Sequence, residues 1–271
     1  MLIINENVLK KDLKEINAIE KLFMFFISEQ DDVENGKSAK LLYEKLGWNQ
    51  GARYDVINSF WTTFSYAMRL KYPDEYPKAE AGNVKIYKHH RYGYYSFPEK
   101  YFKENSKERG QVNDLCEKYP DILKLADMCH TVANFMPCPK GFRFNSVKGL
   151  LDDVRDYFPL MIDKIQRCVD DGKDLEYYSG NGNLQKIDNK IIKDWHSFFI
   201  KNQEKYCLSM YYQVNKNRIN GIMFFKRQSL DYPCPQEKEE VEECLRNILD
   251  KINERADLIL KKYNEEHKSN S

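Results

Sequence analysis

Val241-Glu-Glu-Cys-Leu245-Arg-Asn-Ile248-Leu-Asp-Lys-Ile252-Asn-Glu-Arg-Ala256-Asp-Leu-Ile259-Leu-Lys-Lys-Tyr263 is the stretch from which the fold is read. Its apolar residues Val241, Leu245, Ile248, Ile252, Ala256, Ile259 and Tyr263 step by fours and threes, the spacing of one helix face. Glu237, Glu239, Glu240, Glu242 and Glu243 gather at its start, and Lys261 and Lys262 at its end. That polarity complements the helix dipole. Working outward from it, the same period recurs in most of the chain.

Leu13 to Ile27 form one amphipathic stretch, over about 11–29, and Ser38 can cap a short helix bearing Leu41, Leu42, Tyr43 and Leu46. Val56, Ile57, Phe60, Trp61, Phe64, Ala67 and Met68 predict a helix over 52–72, stopping before Pro73 because the residue before proline disfavours the helical region. Further helices are predicted over 111–118, 121–134 and 146–157. Another opens at Pro159, a residue tolerated in a first turn, and one more begins where Asp188 can act as its N-cap. Residues 208–226 admit a β-hairpin. The expected architecture is therefore a mainly α single domain spanning 1–271, with an irregular excursion over 73–110 and that one hairpin. Trp61, Phe64, Trp195, Phe198 and Ile252 are expected in the core. The loop Asn134–Phe142, stiffened by Pro137 and Pro139, is expected to pack rigidly on it, with His130 hydrogen-bonded at its base.

The composition excludes several classes. The 43 Lys and Arg against 42 Asp and Glu leave a net charge of +1 over 271 residues, which argues against a general polyanion binder. The longest apolar run, Leu22 to Ile27, is far short of the roughly 20 residues of a membrane span, and no signal peptide is read at the amino terminus. Seven cysteines, an odd number without a CxxC pair, read as reduced thiols of a cytosolic protein.

Each chemistry-bearing pattern competes with a plainer explanation. Cys129, His130 and Cys138 suggest zinc, but structural zinc needs four ligands, and neighbouring residues of a helix point about 100° apart; no metal is expected. A Cys138 or Cys207 nucleophile with His130 or His196 as base would need a contact of about 3 Å and a lowered thiol pKa. Asp152 and Asp156 lie one helical turn apart in an acidic band with Arg155 among them. They can hold a cation or, more simply, face water. Should the chain be catalytic, the candidates are His130, Asp152 and Asp156. The most unusual string is Lys88-His-His-Arg91-Tyr92-Gly-Tyr94-Tyr95. It lies in a segment, 81–110, with seven Lys or Arg, three Asp or Glu and seven aromatic residues. Cations neutralise phosphates and rings stack on splayed bases, so Lys88, Arg91, Tyr92, Tyr94 and Tyr95 are the candidate binding residues. Phosphate-loop, dinucleotide and hydrolase-elbow motifs are absent.

His130-Thr-Val-Ala-Asn-Phe-Met-Pro137 and Lys140-Gly-Phe-Arg-Phe-Asn145 stand with the aromatic block Asn58 to Phe64, the block Asp156-Tyr-Phe-Pro159 and the charged helix Glu237 to Lys262. Together they resemble an uncharacterised family of cytosolic proteins of about this length from low-GC gut bacteria. The resemblance implies a bacterial cytosolic origin and transfers no catalytic residue. The functional expectation is an intracellular binding protein of a bacterial accessory system, defence-related or mobile-element-borne. Its partner would be a protein, with no cofactor and no membrane. The alternative is an enzyme acting on single-stranded nucleic acid or a nucleotide.

Overall fold

The computed structural model describes residues 40, 43–44, 46–48, 52–58, 60–71, 86–89, 93–96, 107–129, 131–142, 157–178 and 184–268. The expected helix over 11–29 and, except for Tyr157, the one over 146–157 fall outside them.

The long helix read from the sequence forms as Lys238–Lys268, numbered α6 as the last helix in chain order. Val241, Cys244, Leu245, Ile248, Ile252, Ala256 and Ile259 are buried along one side of it. Against this stripe pack α1 (Phe60–Lys71), α3 (Asp121–Met128) and the 3₁₀ turn Val132–Asn134. The helix α2 (Lys107–Lys118) lies beside α1 and α3. A second layer is built on α4 (Phe158–Asp171), which packs on α5 (Asn189–Asn202). Gly172, in the left-handed conformation at φ +64°, closes α4. Asp188 caps α5 as expected, its carboxylate accepting from the Lys190 N–H at 2.7 Å.

The expectation of a mainly α domain is corrected by the strands. Among the described residues there are four two-stranded antiparallel sheets, and the chain is mixed α/β. One of these sheets pairs β1 (Tyr54–Val56) with β4 (Phe135–Pro137), segments far apart in the chain, with Tyr54 opposite Pro137 and Val56 opposite Phe135. A bridge from Asn58 to Tyr157 extends the pairing towards α4. Three hairpins supply the rest: β2 (Ile86–His89) with β3 (Gly93–Ser96), β5 (Leu175–Tyr178) with β6 (Leu184–Ile187), and β7 (Tyr212–Asn215) with β8 (Arg218–Gly221). The last lies inside the 208–226 stretch read as a hairpin. The 73–110 segment is not a wholly irregular excursion, because it carries β2–β3 and the start of α2 at Lys107.

Two helix boundaries shift for physical reasons. The helix expected over 52–72 begins only at Phe60, because residues 54–56 find strand partners in 135–137. A long-range backbone ladder overrides the local period, which is a weak prior. The helix expected over 121–134 stops at Met128. There Thr131 Oγ1 donates to the Met128 carbonyl at 2.8 Å and Asn134 Nδ2 to the Cys129 carbonyl at 2.7 Å. Short polar side chains thus satisfy the carbonyls that a continuing helix would have used.

Phe64, Trp195 and Ile252 are core residues as expected, whereas Phe198 is only partly buried and the Trp61 side chain is not among those described. Aromatic rings fill much of the interior: Phe142 meets Trp195 edge-on at 4.9 Å and Phe158 meets Tyr211 at 5.7 Å. The Asn134–Phe142 loop packs on the core, with Asn134, Phe135, Met136, Cys138 and Phe142 all buried, while Lys140 and Gly141 are exposed. Its middle is β4 rather than loop.

Candidate functional site

Of the residues that the sequence singles out, His130, Asp152, Asp156, Arg91 and Tyr92 lie outside the described residues. Lys88, Tyr94 and Tyr95 lie on the β2–β3 ribbon, where the register sets Lys88 opposite Tyr94 and Tyr87 opposite Tyr95. The ribbon is held on the body through β3, which runs beside α1 and α3. Among the described residues, each of its two strands is paired on one side only.

The thiols are poor nucleophiles where their chemistry is defined. Burial pushes Cys116 up to about 11 and raises Cys168 and Cys244 as well, so these stay protonated near neutral pH. Cys138 and Cys207 are buried, and the Cys138 thiol points at the Met136 carbonyl at 3.8 Å. Of the two histidines proposed as their base, His130 lies outside the described residues, and His196 turns its Nε2 to Gln166 Oε1 at 2.9 Å. Among the described residues no three metal-binding side chains gather, and no helix is long and apolar enough to cross a membrane.

Among the described residues the structure assembles polar clusters that the sequence reading missed, and three of them join distant elements. In the first, Gln166 Oε1 accepts from the Ile219 N–H at 2.8 Å as well as facing His196, and Gln166 Nε2 donates to Asp170 at 2.8 Å. Asp170 in turn receives both terminal nitrogens of Arg218, at 3.1 and 2.7 Å. Arg218 holds the Asp170 carboxyl below its ordinary range, and burial lowers the His196 pKa. The chain of bonds fastens β8 to α4 and α5.

The second cluster joins β1 to the turn before β4. Asn134 Oδ1 accepts from the Asn58 backbone N–H at 3.0 Å and from Asn58 Nδ2 at 2.9 Å, while Asn134 Nδ2 donates to the Asn58 carbonyl at 2.9 Å. Asn58 Nδ2 also donates to the Tyr211 hydroxyl at 3.0 Å.

The third consists of two buried cations one turn apart on α6. Lys251 Nζ donates to the carbonyls of Met210 at 2.5 Å and Ile222 at 3.1 Å, beneath the Tyr211 and Phe224 rings. Arg255 donates to the carbonyls of Val132, Ala133, Tyr206 and Cys207, with its guanidinium 5.4 Å from the centre of the Trp48 ring. Burial lowers both pKa values, Lys251 to about 8. These bonds hold the turn after α5, where Leu208 N–H reaches the Gln203 carbonyl and Cys207 takes φ +52°.

The sequence signal for these groups is slight. A lysine and an arginine at positions 251 and 255 sit beside the apolar stripe of a charged helix, where solvent exposure is the ordinary expectation. No protein-family model, no curated protein and no solved structure matches the chain.

Proposed function

We propose that the chain is a cytoplasmic binding protein of a bacterial accessory system, defence-related or mobile-element-borne, that works by contact with another protein. The observation that carries this reading is how the described chemical groups are engaged. His196, Asp163, Asp170, Lys251 and Arg255 each bind a neighbouring side chain or main-chain group. Bonds of this kind hold the architecture together. None of the seven cysteines is in a disulfide, which fits a reducing compartment.

The surface favours a polar contact. Ile191 is the one large hydrophobic residue that is exposed among the described residues, so a broad apolar patch does not account for binding there. The β2–β3 ribbon is the recognition element in this reading. Among the described residues its strands are paired on one side only, an edge that can accept an added strand from a partner, a mode in which main-chain hydrogen bonds supply affinity.

The test sets this reading against nucleic acid. Labelled single-stranded RNA and DNA are titrated with the protein across a salt series, with Arg91→Ala and Tyr94→Ala alongside. The expected result is weak binding, indifferent to both substitutions. A log–log salt slope near −3, as four phosphate contacts would give at about −0.7 each, lowered by Arg91→Ala, would overturn the proposal. So would turnover of an oligonucleotide or nucleotide that disappears in His130→Ala or Asp156→Asn.

A further inference from the structure

We draw no further inference here: the strongest candidate, the buried cluster of Cys234, Cys244 and the Tyr157 hydroxyl beside the first turns of α6, carries nothing because what sets it apart is only the raised ionisation of these buried groups.

Discussion

Replacing Arg255 by methionine separates two reasons for a buried cation. The side chain is fully buried, and burial disfavours its charge. Where a buried cation pairs with a carboxylate, an apolar replacement of both partners is often harmless. Here the acceptors are main-chain carbonyls, which no substitution removes. Nη1 reaches Ala133 at 2.6 Å and Val132 at 3.3 Å; Nε reaches Cys207 at 3.1 Å and Tyr206 at 3.2 Å; Nη2 adds a second bond to Tyr206 at 3.1 Å. The Val132 carbonyl keeps the Phe135 N–H. The carbonyls of Ala133, Tyr206 and Cys207 are deprived of their guanidinium donors. A buried acceptor left without a donor costs about 1–3 kcal/mol. Three at the low end, with the attraction to the Trp48 ring removed and the desolvation of the charge relieved, give about 3–4 kcal/mol for Arg255→Met. That is a large part of a total stability of about 5–15 kcal/mol. Arg255→Lys keeps the charge but offers three donors without the planar fork, and about half the destabilisation is expected. Urea unfolding followed by circular dichroism reads both as a fall in midpoint at unchanged m-value. An Arg255→Met protein with the wild-type midpoint or a higher one would refute the argument, because it would mean that the carbonyls do not depend on the guanidinium.

Three further outcomes are expected. Gly221→Ala should destabilise by about 1–3 kcal/mol, as overpacking does, because a Cβ there would lie 2.2 Å from the Pro159 carbonyl oxygen on α4; a thermal melt matching the wild type would show that β8 can move away. Phe64→Ala should cost about 3–5 kcal/mol for a buried ring, and an unchanged melting curve would contradict the packing of α1. Between pH about 8 and 10 Lys251, with its pKa near 8 in the fold, sheds its proton before the unfolded chain does and contributes stability that grows with pH, while Cys116, Cys168 and Cys244, kept protonated by burial where unfolded thiols ionise, contribute a larger loss. Stability should fall further above about 10, where unfolded tyrosines ionise but the buried Tyr157, Tyr211 and Tyr212, whose pKa values are raised by burial, do not. Urea midpoints between pH about 8 and 10 should therefore fall more steeply in Lys251→Met than in the wild type; parallel profiles for the two proteins would show that Lys251 does not titrate there.

What the sequence by itself determined is what local chemistry determines. The stripe from Val241 to Ile259 makes α6 whatever surrounds it, because its period, its acidic start and its basic end agree. Asp188 caps α5 through a bond to a residue two positions away, and Phe64, Trp195 and Ile252 are buried because no other face of their helices is apolar enough. The tertiary structure decided whatever depends on residues distant in the chain. Tyr54–Val56 becomes a strand because Phe135–Pro137 is delivered beside it, and the helical reading of 52–72 had no means of weighing that pairing. The helix over 121–134 ends early because Asn134 is drawn to Asn58, 76 positions away. Lys251 and Arg255 were the least legible. Their spacing is that of solvated helix residues, and only the carbonyls brought in from Val132, Ala133, Tyr206, Cys207, Met210 and Ile222 make their burial tolerable. A cation on a helix is read as exposed until something folds over it with enough oxygen atoms to replace water, and that replacement belongs to the assembled chain alone.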